Sequence, residues 1–328
     1  MKNIKKLSIL ILFIFSFPAT NAFSKNIDPA TKTNDLFSKN IDPATKTTNS
    51  FSQNIDTAKA LETTIRFGAS KQDLGFDTSA AHSILDWNTS NVDYGLDLKY
   101  TLSNQTFVMA ELMGSSSTDG KSTDDDIQNY EGIYSISGAK GGTGDFKLNV
   151  GYKVLDLKRN RPLFITAGAF YKNAKVSTLG FVQLDARSQV TNIAPENYVP
   201  AKSNSEYYGL MFGSRLESND VDTKSSIQID FLLHLRYQGD HVWYNKNLDG
   251  SDRYWSLNNN NPGIGFRVKA EQGYKISNSF DSYIKFYGYY ETMKFSELTE
   301  IHDGVELKSR YKGKANFNTF GGGVAFEF

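Results

Sequence analysis

The feature that most constrains this chain is two-residue alternation sustained over runs of nine or more residues. In "NVDYGLDLKYTL", Val92, Tyr94, Leu96, Leu98 and Tyr100 take one face, and Asp93, Gly95, Asp97 and Lys99 take the other. "DFKLNVGYKV" sets Phe146, Leu148, Val150, Tyr152 and Val154 against Lys147, Asn149, Gly151 and Lys153. "SIQIDFLLHLRY" sets Ile227, Ile229, Phe231, Leu233, Leu235 and Tyr237 against Gln228, Asp230, His234 and Arg236, and "GIGFRVKAE" repeats the pattern. A period of two is the signature of a strand with unlike faces, and no long helical period competes with it from about residue 60 onward.

Alternation alone would also suit a soluble sandwich. These runs are long, and their connections alternate between short polar turns, near 102–106, 156–162, 217–225 and 276–281, and long polar segments, near 73–82, 119–143, 180–203, 243–261 and 298–313. That is the pattern of a membrane barrel, in which apolar residues meet lipid and charges of both signs suit a water-filled lumen. The expected fold is therefore all-β: a transmembrane antiparallel β-barrel of ten strands with long extracellular loops and short periplasmic turns. The strands are expected at about 60–72, 83–103, 105–118, 144–157, 162–179, 204–218, 224–242, 262–276, 280–297 and 314–328. The last run, "NFNTFGGGVAFEF", puts Phe320, Val324, Phe326 and Phe328 on one face and ends on an aromatic residue, like the assembly signal of bacterial outer-membrane barrels. A closed barrel leaves no unpaired strand edge in lipid.

Residues 1–22 have a basic start (Lys2, Lys5, Lys6), an apolar run from Leu7 to Phe17, and small residues up to Ala22. They read as a signal peptide, since the run is shorter than the roughly 20 residues a helical span needs. Residues 23–59 hold copies of a polar repeat, "FSKNIDPATKTNDL", "FSKNIDPATKTTNS" and "FSQNIDTAKALE", too short and polar to bury a core. The expected organisation is signal peptide at 1–22, flexible repeats at 23–59 and outer-membrane barrel at 60–328. The 36 basic and 36 acidic side chains cancel, so nothing draws the whole chain to nucleic acid. The absence of cysteine excludes thiol nucleophiles and suits an oxidising compartment.

Several segments resemble the omptins, ten-stranded outer-membrane endopeptidases. "SILDW" (83–87) looks like the omptin S-x-L-D-W, and "AELMGSSSTDGKSTDDD" lines up without gaps on the third strand and its G-x-x-x-D-x-D. "YYGLMFGSRLE", "IQIDFLLHLRYQG" and "NFNTFGGGVAFEF" are similar to the sixth, seventh and last strands. The resemblance implies two acidic groups facing an Asp–His pair across the barrel mouth, with a water between them as nucleophile, and cleavage of peptides beside basic residues. It places Asp124 and Asp126 at the family's Asp pair. Residues i and i+2 of a strand point the same way, so Asp125 points away.

The family's D-x-H motif has no counterpart, because the ungapped count lands on Asn247 and Asp249. The substitute is Asp240 with His241. Adjacent strand residues face opposite ways, so this pair serves only if the strand bulges or ends there. The W-T-D-x-S-x-H-P segment is also unmatched, and of A-G-Y-Q-E only Ala167 and Gly168 are kept. The candidate catalytic residues are thus Asp124, Asp126, Asp240 and His241; the Asp124–Asp126 triplet also reads as a solvated acidic loop tip or a cation site, and His241 as a loop-base histidine near the headgroups.

The resemblance calls for no cofactor or metal, but implies lipopolysaccharide as an activating lipid. The implied partners are outer-membrane lipid, lipopolysaccharide, and a peptide or host-surface protein. Of the remaining candidates, His234 is expected in a luminal polar network with Asp230 and Arg236. Trp243 and Trp255 are expected in an aromatic girdle or a binding surface. His82 and His302 fall in loops. "GTGDF" and "GGGVAF" have no helix after them to hold a phosphate. Three functions follow: an omptin-like surface barrel with a degenerate peptidase site, an active endopeptidase, and a non-enzymatic adhesin. A general porin ranks below them, since ten strands enclose a narrow lumen.

Overall fold

The computed structural model describes residues 61–78, 83–126, 133–157, 161–185, 188–244, 252–259, 261–277, 281–302, 305–306 and 313–328. The expected signal peptide and repeats, and His82, lie outside the described residues. Among the described residues every regular element is a strand: β1 (Leu61–Thr78), β2 (Ser83–Ser103), β3 (Thr106–Asp126), β4 (Ile133–Leu157), β5 (Arg161–Leu184), β6 (Val190–Ala194), β7 (Ala201–Asn219), β8 (Thr223–Trp243), β9 (Arg253–Asn259), β10 (Gly263–Ser277), β11 (Ser282–His302), β12 (Val305–Glu306) and β13 (Gly313–Glu327).

Ten of these form a ring. Antiparallel pairing runs from β1 through β2, β3, β4, β5, β7 and β8 to β10, then β11 and β13, and β13 returns to β1 over a register from Thr64↔Glu327 to Asp77↔Lys314. Closure is completed at the terminus, where Thr63 N donates to Phe328 O at 3.2 Å and Phe328 N to Thr63 O at 2.9 Å. The short connections β2–β3, β4–β5, β7–β8 and β10–β11 fall at the end of the barrel that holds Leu61 and Phe328, which makes that end periplasmic. At the other end β6 pairs with β5, β12 with β11, and β9 bridges β8 and β11.

The apolar face of the alternation points outward, where Phe67, Tyr94, Tyr152, Ile165, Phe212, Phe231, Phe266 and Phe320 are exposed as a lipid-facing belt. The charged face points inward, with Arg66, Asp97, Glu111, Lys147, Asp230, Arg267, Lys269 and Glu271 all buried.

Three expectations are corrected. Most of the expected loops are strand: β1 continues to 78, β3 to 126, β4 starts at 133, β5 reaches 184 and β11 reaches 302. Apolar alternation stops where lipid stops, but backbone pairing is indifferent to side-chain polarity and carries on above the membrane. The lumen is not a water-filled channel either. Its periplasmic part is packed with ion pairs, including Arg267–Glu111 and Arg267–Asp230 at 2.9 Å each, Lys269–Glu111 at 2.7 Å and Lys172–Glu291 at 2.8 Å. Arg66 adds contacts to both Asp97 and Glu271. Opposite charges across a narrow ring satisfy one another, so little room is left for solvent.

The third correction concerns what lies above the ion pairs. A buried apolar cluster fills the bore, built from Phe76, Phe170, Tyr207, Tyr237, Phe295 and Phe317 among others. Ring centroids of Tyr237 and Phe295 are 4.7 Å apart, and those of Tyr207 and Phe317 5.3 Å. Tyr237, expected on the outer face with Ile227 and Leu235, belongs to this plug. Leu235 is an extra residue between the pairs Gly209↔His234 and Tyr208↔Arg236, and a bulge reverses which face the following residues take.

Candidate functional site

The same bulge decides the fate of the expected Asp–His pair. After Leu235 the exposed residues of β8 are Arg236 and Asp240, while Tyr237, Gly239 and His241 are buried inside. The strand does not end before Trp243, so Asp240 and His241 point to opposite faces, and Gln238 Nε2 donates to Asp240 Oδ2 at 3.1 Å on the outer side. The outward apolar row of β8 stops at Leu235, which places the segment from Arg236 to Trp243 above the bilayer.

His241 stacks on Trp255 at 3.8 Å with an interplanar angle of 14°, and Phe76 meets it edge-on at 5.0 Å. Neither ring nitrogen has a hydrogen-bond partner. Burial among rings pushes the imidazole down from 6.5 to about 3, so it is neutral at ordinary pH. A general base needs the opposite arrangement: an exposed nitrogen, and a carboxylate holding the other one.

Asp124 sits across the mouth, and it too is aimed by a bulge. Asn91 pairs with Ser117 and Ser90 with Asp119, leaving Thr118 as the extra residue of β3, its hydroxyl donating to Ser90 O at 3.1 Å. Before Thr118 the inward residues of β3 are odd-numbered, such as Met109 and Glu111. After it they are even, such as Ser122, and Asp124 follows in the same phase. Asp124 lines a cavity of about 70 Å³ with Leu85, Trp87, Ser122, Ser135 and Trp243. Asp125 takes the opposite face by alternation. Asp126 keeps its register between Ser83 and Ile133, and its side chain lies outside the described residues.

A third bulge completes the cavity. Gly138 pairs with Leu179 and Ile136 with Val182, so β5 carries an extra residue at Gly180, whose φ of +57° is one that a Cβ disfavours. Gly180 N donates to Tyr198 O at 2.7 Å, and beyond it Phe181 and Gln183 line the cavity.

Asp124 and His241 are not brought together. Trp87, in the Asp124 cavity, packs edge-on against Phe76 at 5.4 Å, and Trp243 meets Trp255 at 6.2 Å; Phe76 and Trp255 are the rings that enclose His241. The carboxylate and the imidazole share no hydrogen bond, and rings of the Asp124 cavity pack against the rings that enclose His241.

The other candidates also move. Arg236 points out of the barrel and so cannot join His234. His234 is fully buried amid Phe170 at 4.8 Å, Phe295 at 5.2 Å and Tyr207 at 5.8 Å. Trp255 belongs to the buried plug instead of a girdle, and Trp243 is half-buried against it. His302 closes β11 with Nε2 3.6 Å from Glu300 Oε2. The signals that sequence reasoning missed are the bulges at Thr118, Gly180 and Leu235. Only Gly180 carries a local hint, glycine being the residue that a left-handed backbone favours.

No family model matches the chain, and no curated protein matches it. Among solved structures it is similar to the outer membrane protease OmpT from Escherichia coli, with a TM-score of 0.70 and 12% identity over 83% of this chain and 97% of that one. The translocator domain of the autotransporter NalP from Neisseria meningitidis also matches, with a TM-score of 0.28 and 8% identity over 82% of this chain and 88% of that one. That second likeness carries no weight. The closed ring of ten strands, the lipid-facing belt and the first of these likenesses agree on one conclusion: the chain is a β-barrel of the outer-membrane type with the fold of the OmpT barrel.

Proposed function

We propose that this protein is an omptin-like barrel of the bacterial outer membrane that works at the cell surface by binding a partner, without peptidase chemistry. The observation that carries this reading is the placing of Asp240 and His241 on opposite faces of β8, with His241 enclosed between Trp255 and Phe76. A proton relay through that imidazole would need it charged where no counter-charge or hydrogen-bond partner meets it. The strands that rise above the lipid belt, and the β5–β6 hairpin with its exposed Val190 and Ile193, provide surface for contact with a host protein.

The test is hydrolysis of dibasic fluorogenic peptides by the full chain refolded with lipopolysaccharide, the activating lipid that the omptin resemblance implies. The expected outcome is no cleavage above background. Cleavage that disappears in Asp124→Ala and His241→Ala would overturn the reading in favour of an endopeptidase.

A further inference from the structure

We infer that the inner face of β2, β3, β4 and β5 at the mouth is a binding cavity for the terminal sugar of a glycan. This names the partner class for the surface-binding reading and rests on it. Strand register assembles the cavity. Leu85, Asp124, Ser135 and Gln183 are successive cross-strand neighbours, one from each strand in turn. In the next inward row Trp87 pairs with Ser122, and Ser122 with Ser137. Thr178, Phe181, Pro200, Ala201 and Trp243 complete the lining.

The chemistry of this lining is mixed donor and acceptor. A sugar ring offers adjacent hydroxyls that both give and accept hydrogen bonds, together with a flat patch of C–H groups. Facing it are four side-chain hydroxyls that can act either way, a carboxamide with one group of each kind, and a carboxylate that accepts. Trp87 Nε1 donates to Thr178 Oγ1 at 3.1 Å, which leaves the Thr178 proton to be given elsewhere. Ser122 and Thr178 are buried, so hydrogen bonds made there are shielded from water. Trp243, half-buried, supplies an apolar wall of the kind a C–H patch packs against.

A lysine or arginine side chain fits less well. Its head only donates, and it would leave the donors of Gln183 and the serines unanswered. At about 70 Å³ the cavity is smaller than a whole sugar ring, so it takes one hydroxyl-bearing edge of the terminal sugar and leaves the rest outside.

The experiment titrates the refolded full chain with methyl glycosides of common surface sugars, and with an arginine amide as the cationic comparator. Tryptophan emission is the readout, and a heat-modifiable band on gels certifies folding of each variant. The expected result is saturable binding of at least one glycoside, weakened about tenfold or more by Asp124→Asn and by Gln183→Ala, and unchanged by Asp125→Asn on the outer face. Binding of the arginine amide alone would overturn the sugar assignment. So would absence of glycoside binding by protein that still adheres to host cells, and that outcome leaves the surface-binding reading standing. Peptide cleavage lost in Asp124→Asn would sink the surface-binding reading itself.

Discussion

His241 shows how one side chain can look catalytic in a sequence and structural in a fold. Its ring serves as an aromatic tile between Trp255 and Phe76, and its two nitrogens are a cost. His241→Phe is therefore expected to hold or raise stability by about 1 kcal/mol, because it removes two buried polar atoms and keeps the packing. His241→Ala should lose about 3 kcal/mol through the cavity it leaves. The pH dependence has a definite sign. The folded imidazole titrates near 3 and the unfolded one near 6.5, so between these values the unfolded state binds the extra proton. Stability from this group is full above pH 6.5 and falls by about 1.4 kcal/mol per unit as the pH drops through that window. Urea unfolding at pH 7 and pH 5 should show the loss in the native chain, reduced in His241→Phe.

At the scale of the strand, the decisive devices are the bulges. The Asp124/Asp126 spacing was legible in the sequence as a pair on one face, but which face depended on Thr118. Likewise the alternation from Ile227 to Leu235 reads correctly, and the same count carried on puts Tyr237 on the wrong side, because Leu235 adds one residue. A bulge inserts one residue without changing local composition, so a periodic reading has nothing to detect. The chain contains no cysteine, which makes labelling a clean test of the β8 phase. Single substitutions Arg236→Cys and Asp240→Cys should react with a membrane-impermeant maleimide on intact cells. His241→Cys should stay protected until the protein is denatured. The reverse order of reactivity would place the bulge elsewhere.

At the scale of the whole molecule, the barrel is closed twice: by ion pairs in its periplasmic part and by aromatic rings above them. The two layers suit their positions. Charges crowded into a ring of ten strands neutralise one another, as Glu111 does between Arg267 and Lys269. The rings pack where strands from opposite walls come close enough to touch, as Phe76 from β1 does with His241 from β8. Reconstituted into planar bilayers, the protein is expected to give no conductance above leak. Stepwise channels of uniform size would contradict the plugged lumen and revive the porin reading.

The sequence by itself determined the barrel. Alternation, turn spacing and the aromatic last strand all report one local requirement, that each strand present an apolar face to lipid and a polar face inward, and that requirement is written into every second residue. Only the tertiary structure decided what fills the bore and which site residues meet. Those outcomes depend on contacts between strands far apart in the chain and on single inserted residues that shift phase. Asp124 reaches the inner mouth and Asp240 leaves it for that reason: the faces of a strand are fixed by its pairing partners, and the partners are chosen only when the ring closes.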